Sequence, residues 1–164
     1  MLEIAKIADL EQIVIIVKDA QARMKQDNLI QWQDGYPTRE ILATDIDKGQ
    51  MYKLEIAGQV AGICVINDDY YSQYPNTLDK EQCLMIHRVA VSSKFLNYGV
   101  GTQLLNGSCE LIKQFGFDYA VIDTNSQNLK MIKLIEKANF TYVSDFELVE
   151  NAPLWKVFVK RLSV

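Results

Sequence analysis

The fold is decided by residues 89–105, which read Val89-Ala90-Val91-Ser92-Ser93-Lys94-Phe95-Leu96-Asn97-Tyr98-Gly99-Val100-Gly101-Thr102-Gln103-Leu104-Leu105. A β-branched segment passes through a short turn into two spaced glycines, and a helical pattern follows them. Amide N–H groups in the first turn of a helix have no intrahelical acceptor and lie at the positive end of the helix dipole. A phosphate can dock there where no Cβ blocks its approach, and Gly99 and Gly101 lack a Cβ. The stretch therefore predicts a strand, an anion-binding turn and a helix.

The overall composition argues against several classes of protein. The chain has 164 residues, of which 49% are hydrophobic, and this size suits one domain. Its net charge of -4 and its pI of about 5.0 argue against a nucleic-acid partner, which needs a concentrated basic face. The sequence shows neither a secretion leader nor an apolar run long enough to span a bilayer. We therefore expect a cytoplasmic protein with no membrane partner.

The three cysteines favour reduced thiols. Cys64, Cys83 and Cys109 are odd in number, far apart, and surrounded by residues that we expect to be buried. A disulfide framework or a metal site would need closer spacing or a second type of ligand near them. We expect no metal site.

Hydrophobic periodicity predicts alternating strands and helices along the whole chain. We find no repeats or linkers, and residues 68–76 form a long acidic and aromatic loop of the kind that often serves function. The predicted class is mixed α/β, with helices packed on a largely antiparallel sheet. The predicted strands are 2–7, 51–56, 60–66, 83–91, 119–123, 141–148 and 154–162, and the predicted helices are 10–26, 38–46, 101–115 and 127–138.

Two glycines after a strand occur in many folds, so the flanking sequence must decide between them. A dinucleotide fingerprint needs a third glycine where Leu104 stands, and a P-loop needs a Gly-Lys-Ser/Thr sequence. Both are absent here. Asp123 does end the next predicted strand, as a Rossmann unit requires, but the strand before the turn lies in mid-chain behind a hairpin. A nucleotide-binding domain is thus the weaker alternative.

With its flanks, the segment resembles the GNAT superfamily of acyl-coenzyme A N-acyltransferases. Residues 96–101, Leu-Asn-Tyr-Gly-Val-Gly, are similar to the family turn Gln/Arg-x-x-Gly-x-Gly/Ala. Residues 128–140, Asn-Leu-Lys-Met-Ile-Lys-Leu-Ile-Glu-Lys-Ala-Asn-Phe, are similar to the family segment Asn-x-x-Ala-x-x-Leu-Tyr-x-Lys-x-Gly-Phe. The resemblance implies a single GNAT-like domain over residues 1–164, with a central, largely antiparallel sheet flanked by helices.

The resemblance also implies acetyl-CoA as the cofactor and assigns residues to it. Asn128 is similar to the family's cofactor-contacting asparagine, and its alternative role is that of an exposed residue near the first turn of a helix. The implied cofactor-binding residues are Val89, Ala90, Val91, Leu96, Asn97, Tyr98, Gly99, Val100, Gly101, Thr102 and Asn128.

Three positions depart from the family pattern. Leu96 replaces a polar or basic residue of the turn, which weakens one diphosphate contact but leaves the backbone donors. Ile135 replaces the tyrosine that protonates the departing thiolate in many members. Asn139 replaces a glycine, and asparagine tolerates the left-handed backbone that a turn after a helix requires.

Acetyl transfer to an amine involves two proton transfers of unequal difficulty. Freeing an amine with a pKa near 10.4 at pH 7 costs about 4–5 kcal/mol, whereas expelling a thiol with a pKa of roughly 8.5 as thiolate costs about 2 kcal/mol. A base therefore matters more than the missing tyrosine at Ile135.

His87 and Asp123 are the candidate bases, and the amide of Val89 is the implied oxyanion donor. His87 is the only histidine, and strand alternation places Met85, His87 and Val89 on one face of the strand before the turn. Its alternative role is a hydrogen-bonded core residue. Asp123 ends the next strand, and its alternative role is to cap the following helix.

Aromatic residues in two loops are candidates for binding the acceptor amine. Rings and carboxylates both attract an ammonium group, although such residues are also ordinary loop material. The preferred candidates are Trp32, Tyr36 and Tyr70, and the wider set adds Tyr71, Tyr74, Asp68 and Asp69.

The leading hypothesis is an N-acetyltransferase that transfers an acetyl group from acetyl-CoA to a primary amine of a small molecule or peptide. The amine attacks directly in a ternary complex. A covalent route is not indicated, because Cys83 lies about 13 Å along the strand from His87. The alternative is a non-catalytic acyl-CoA-binding or regulatory module. The sequence leaves a homodimer open.

Overall fold

A computed structural model describes residues 1–162 of the chain. Within that range the chain forms seven strands and four helices, together with three short 3-10 turns. The elements in order are β1 (Glu3–Ile4), α1 (Leu10–Gln26), α2 (Arg39–Asp47), β2 (Met51–Ile56), β3 (Gln59–Asn67), β4 (Cys83–Val91), α3 (Val100–Gln114), β5 (Tyr119–Asn125), α4 (Leu129–Lys137), β6 (Thr141–Phe146) and β7 (Trp155–Arg161).

The strands form one mixed sheet in the order β1-β2-β3-β4-β5-β7-β6. Antiparallel pairing joins β1 to β2, β2 to β3, β5 to β7 and β6 to β7, whereas β4 and β5 run parallel. The predicted α/β class with a largely antiparallel sheet is confirmed.

The element bounds agree with the sequence-based expectations to within a few residues, and β5 shows why some differ. Periodicity ends this strand at Asp123, because the next two residues are polar. In the structure the strand continues to Asn125, which pairs with Trp155 of β7. The antiparallel partner thus supplies hydrogen bonds that a local pattern does not reveal.

The chain divides into two compact units. Unit 1 consists of residues 1–65 and 88–104, and unit 2 consists of residues 66–87 with the described residues from 105 onward. In unit 1, α1 and α2 bury their apolar faces against β2 and β3 through Ile13, Leu42, Met51 and Ile63. Removing these side chains from water is the main stabilising contribution to this unit.

Gly62 of β3 allows the first turn of α3 to pack closely in unit 1. A Cβ at this position would lie 2.8 Å from both Leu104 Cδ1 and Val100 Cγ1, and 3.0 Å from the Ala90 carbonyl oxygen. Since such distances are shorter than van der Waals contact, glycine is required there. The close packing fixes the start of α3 against the sheet.

An aromatic cluster forms the core of unit 2. Tyr74 packs edge-on against Phe146 with ring centroids 5.2 Å apart, and Tyr71 lies 5.6 Å from the same ring. The cluster also contains Tyr70 and Trp155, and it packs on the buried side chains of β4, β5 and β7. The long loop before β4 is therefore partly built into the core of this unit.

Candidate active site

The turn after β4 has the backbone conformation that an anion site needs. The Ser92 hydroxyl accepts a hydrogen bond from Lys94 N and caps a 3-10 turn over Ser93–Phe95. The chain then takes the left-handed conformation twice, at Asn97 (φ 66°) and at Gly99 (φ 72°). Both residue types tolerate this conformation. α3 begins at Val100, directly after Gly99.

Three amides follow Gly99 before the helical hydrogen bonds of α3 begin. Gln103 N donates to Gly99 O at 3.1 Å, which is the first i to i−4 bond of the helix. The N–H groups of Val100, Gly101 and Thr102 therefore precede the helical ladder, as at any helix start. A Cβ built on Gly99 would meet nothing within 4 Å, so the space beside this turn is open. These features fit a diphosphate group.

The other cofactor residues predicted in unit 1 differ in exposure. Val89 and Val91 are partly exposed, whereas Ala90 is buried in the core of the unit. Leu96 and Tyr98 are exposed. Arg23 of α1 donates through one terminal nitrogen to the Val91 carbonyl at 2.6 Å, so this part of β4 is held from the helix side.

Arg88 is the residue that sequence reasoning missed. It has a φ of 49° in the middle of a strand, and this left-handed conformation interrupts strand alternation between His87 and Val89. The two residues therefore do not follow the regular alternation that the sequence predicted for Met85, His87 and Val89. A single arginine in an apolar strand was the signal available, but it does not reveal backbone conformation.

Arg88 binds two groups in unit 1. Its Nε and one terminal nitrogen donate to the two carboxylate oxygens of Asp45 at 2.7 and 2.8 Å. Its other terminal nitrogen donates to the Tyr36 hydroxyl at 2.5 Å. Tyr36, predicted as an acceptor-binding residue, thus holds Arg88 through its hydroxyl. Trp32, the second loop candidate, is partly buried against the core of unit 1.

His87 is partly exposed at the end of the unit 2 portion of β4. Its Nε2 lies 3.2 Å from the Asp69 carbonyl oxygen in the loop before β4. Because a carbonyl oxygen only accepts, Nε2–H is the donor in this contact.

Asp123 is held by a tyrosine and does not cap a helix. The Tyr74 hydroxyl, from the loop before β4, donates to Asp123 Oδ2. Burial raises the pKa of Asp123 to about 6, and the hydrogen bond from Tyr74 lowers it in part. Burial beside Asp123 also raises the pKa of Tyr74, which keeps the phenol protonated. A carboxyl that titrates near neutral pH is suited to accept a proton.

The remaining predicted residues of unit 2 have clear structural positions. Asn128 is buried and caps α4, since its side-chain oxygen accepts from Met131 N at 3.1 Å. Tyr70 donates its hydroxyl to the Cys83 carbonyl oxygen. Thr124 Oγ1 and Asn125 Nδ2 are buried polar atoms with no hydrogen-bond partner.

The two departures in α4 have physical explanations. Ile135 is fully buried, so this position contributes packing and no proton donor. Asn139 has a φ of 63°, which confirms that asparagine serves the left-handed turn after the helix.

The structure therefore brings some of the predicted residues together. Asp123 meets Tyr74 in unit 2, whereas in unit 1 the predicted Tyr36 contacts Arg88, which was not among the predicted residues. Tyr70 and Tyr74 also lie in edge contact at 6.4 Å between ring centroids. Among residues 1–162, no cluster of three or more His, Cys, Asp or Glu side chains is placed to hold a metal ion. No helix in that range is both long and apolar enough to cross a bilayer.

Comparison with known proteins gives the family. The model of the acetyltransferase (GNAT) family matches residues 17–140, which is most of the chain and includes the turn and α4. The chain belongs to the acetyltransferase (GNAT) family. The resemblance stated from the glycine turn is thus confirmed, and the acyl donor predicted from it, acetyl-CoA, is that of the family.

Solved structures share the fold of this acetyltransferase over nearly its whole length. A GNAT acetyltransferase from Streptococcus agalactiae is 23% identical, with a TM-score of 0.84 and coverage of 98% of this chain and 94% of that chain. A structure from Staphylococcus aureus Mu50, assigned as an acetyltransferase, is 26% identical, with a TM-score of 0.75 and 99% of each chain covered. The yncA protein of Salmonella typhimurium, solved with its cofactor acetyl-CoA, is 18% identical, with a TM-score of 0.74 and 99% and 94% covered. No curated protein sequence matches the chain.

Proposed function

We propose that this acetyltransferase is a single domain that transfers the acetyl group of acetyl-CoA to a primary amine. The amine attacks the thioester directly in a ternary complex. The observation that carries the proposal is the open turn at Gly99, whose left-handed backbone leads into the three leading amides of α3. Family membership assigns acyl transfer to the chain, and the turn supplies donors for a diphosphate.

The backbone binds the donor in this proposal. The amides of residues 100–102 hold the diphosphate, and Asn97 and Tyr98 line the approach to it. Because backbone donors carry the contact, the loss of a polar side chain at Leu96 is tolerated. The donor supplies the acetyl group as a thioester, and Val89 N–H stabilises the oxyanion that forms on its carbonyl. Ala90, Val91 and Asn128 complete the assigned contacts.

Asp123 and His87 are the proposed bases. A carboxyl with a pKa of about 6 is mostly ionised at neutral pH and can receive a proton from the ammonium, directly or through water. The imidazole of His87 is oriented by its contact with the Asp69 carbonyl oxygen. The sulfur leaves as thiolate, since a thiol is acidic enough to need no acid at Ile135.

The acceptor is a small-molecule or peptide amine. Aromatic side chains are well suited to an ammonium group, and Trp32, Tyr36 and Tyr70 are the residues that we assign to it. The hydroxyls of Tyr36 and Tyr70 hold protein groups, so their contribution to the acceptor comes from the ring faces. We place the protein in the cytoplasm, where acetyl-CoA and amines are available.

The test measures release of CoA thiol from acetyl-CoA across a panel of primary amines. We expect at least one amine to stimulate thiol release, and we expect Asp123→Asn or His87→Ala to lower kcat about 100-fold, the contribution of a general base. Asp145→Asn is the matched control, because Asp145 is a carboxylate of unit 2 that pairs at the surface with Lys156.

Two results would contradict the proposal, and each would indicate a different function. Binding of CoA without thiol release for any amine would indicate an acyl-CoA-binding or regulatory module. Tight binding of ADP or ATP with no preference for CoA would indicate a nucleotide-binding domain.

A further inference from the structure

Arg88 adopts a backbone conformation that costs free energy. Residues other than glycine rarely take positive φ, because Cβ approaches the backbone carbonyl oxygen. Arg88 has a φ of 49° inside β4, and it is neither asparagine nor glycine. Strained backbone of this kind persists only where the surroundings hold it, and it clusters at functional sites. The question is what holds it here.

A buried set of contacts holds the Arg88 side chain. The guanidinium and the Asp45 carboxylate form a two-bond pair at 2.7 and 2.8 Å, with side-chain exposures of 11% and 6%. The third nitrogen donates to the Tyr36 hydroxyl at 2.5 Å. All three guanidinium nitrogens are therefore bound, and the planar fork of arginine is required for this geometry.

The contacts reach three further elements of unit 1. Asp45 lies on α2, and Tyr36 lies in the connection that precedes α2. The carbonyl of Tyr36 accepts from Gln21 Nε2 of α1 at 3.0 Å, so the tyrosine is held from both its backbone and its ring. Together these contacts restrain the Arg88 side chain relative to α1 and α2.

The peptide after Arg88 carries the N–H of Val89. Rotation about the Arg88 backbone therefore sets the direction of that N–H. We propose that Arg88, Asp45 and Tyr36 act together as positioning residues, which hold the left-handed backbone at Arg88 and thereby aim the Val89 amide at the thioester oxygen. The inference rests on the proposed function, because it assigns the oxyanion to this amide.

Two substitutions of Arg88 separate the effect of its backbone conformation from the effect of losing its ion pair. Arg88→Gly and Arg88→Ala both remove the ion pair, but only glycine enters the left-handed region without strain. If the backbone conformation matters, Arg88→Gly should retain about five-fold more kcat than Arg88→Ala, which corresponds to about 1 kcal/mol. Equal kcat values for the two variants would overturn the proposal.

Tyr36→Phe tests the network with the ion pair intact. We expect kcat to fall about ten-fold through loss of a hydrogen bond to a charged group, with the Kd of CoA unchanged, because the amides of residues 100–102 bind the diphosphate. Asp9→Asn is the matched control, since Asp9 pairs with Lys53 in the same unit at similar burial. It should lower stability and leave kcat unchanged. A parallel loss of CoA affinity and kcat in Tyr36→Phe would contradict a positioning role.

A readout that needs no turnover separates this inference from the proposed function. In protein labelled with ¹⁵N-valine, acetyl-CoA should shift the Val89 amide resonance in the parent, and Tyr36→Phe should reduce that shift while Asp9→Asn preserves it. If the parent releases no thiol with any amine but shows this pattern, the proposed function fails and the positioning role stands. If thiol is released but the Val89 shift is the same in Tyr36→Phe, the positioning role fails alone.

Discussion

Arg88 and Asp123 illustrate two ways of holding a charged side chain inside a protein. Arg88 has a carboxylate partner and keeps its charge, as buried ions generally must. Asp123 has the neutral hydroxyl of Tyr74, which compensates only part of the cost of leaving water. The carboxylate of Asp123 is therefore destabilised in the folded protein, and its pKa rises.

Asp123→Asn should make the protein more stable at neutral pH. The pKa of Asp123 is about 6 when folded and 3.8 in its ordinary state, so the folded protein holds the extra proton between those values. Stability contributed by this group is present below about pH 4 and is lost as the pH rises through 6. Asparagine accepts from Tyr74 without ionising. We expect a gain of roughly 1–3 kcal/mol at pH 7.5, measured by urea unfolding.

The pH series provides the check on this prediction. The difference between Asp123→Asn and the parent should be small at pH 4 and grow toward pH 7. A constant difference across this range would mean that Asp123 is not destabilised in its ionised form.

The candidate bases could be predicted from the sequence, but the contacts around them could not. His87 is the only histidine, and Asp123 ends a strand, so both stand out in a single chain. The partner of Asp123 is Tyr74, 49 residues earlier, and the partner of Arg88 is Asp45, 43 residues earlier. Contacts of that sequence separation leave no periodic pattern, so pKa and backbone strain emerge only from the folded structure.

At the scale of elements, the turn between β4 and α3 depends on one glycine conformation. Gly99 has a φ of 72°, and the space around its missing Cβ is open. A substitution there would therefore act through backbone strain and through the side from which a ligand approaches, and not through crowding of the core.

Gly99→Ala should weaken CoA binding about ten-fold, because alanine disfavours the left-handed backbone and adds a methyl group beside the leading amides of α3. Gly58→Ala is a matched control, since Gly58 in the β2–β3 hairpin has the same φ of 72° and the same open surroundings. Both variants should lose about 1 kcal/mol of unfolding free energy, but calorimetry should show weaker CoA binding for Gly99→Ala alone. Equal CoA affinities would mean that the cofactor binds elsewhere.

Most elements followed from periodicity because their apolar faces are regular. The helices of residues 10–26 and 129–137 repeat at helical spacing, and the hairpin at residues 57–58 carries the glycine that its turn requires. The irregular features escaped prediction. The left-handed residue inside β4 and the extension of β5 to Asn125 both depend on partners in other elements.

At the scale of the whole molecule, the three cysteines are distributed over both units. Cys64 lies on β3 in unit 1, whereas Cys83 on β4 and Cys109 on α3 belong to unit 2. All three are buried thiols. Burial raises the pKa of Cys83 and of Cys109 to about 11, so both are fully protonated at neutral pH. Neither Cys83 nor Cys109 therefore has the reactive thiolate that a covalent acetyl-enzyme would require.

The native protein should therefore react slowly with thiol reagents. A rise in pKa from 9 to about 11 lowers the thiolate fraction about 100-fold, and burial slows the reaction further. In a disulfide-exchange assay at pH 8 we expect little labelling of folded protein and three thiols per chain after denaturation in guanidinium. Brief alkylation should leave acetyl transfer intact. Rapid labelling of one cysteine with loss of activity would instead support a covalent intermediate and contradict direct attack by the amine.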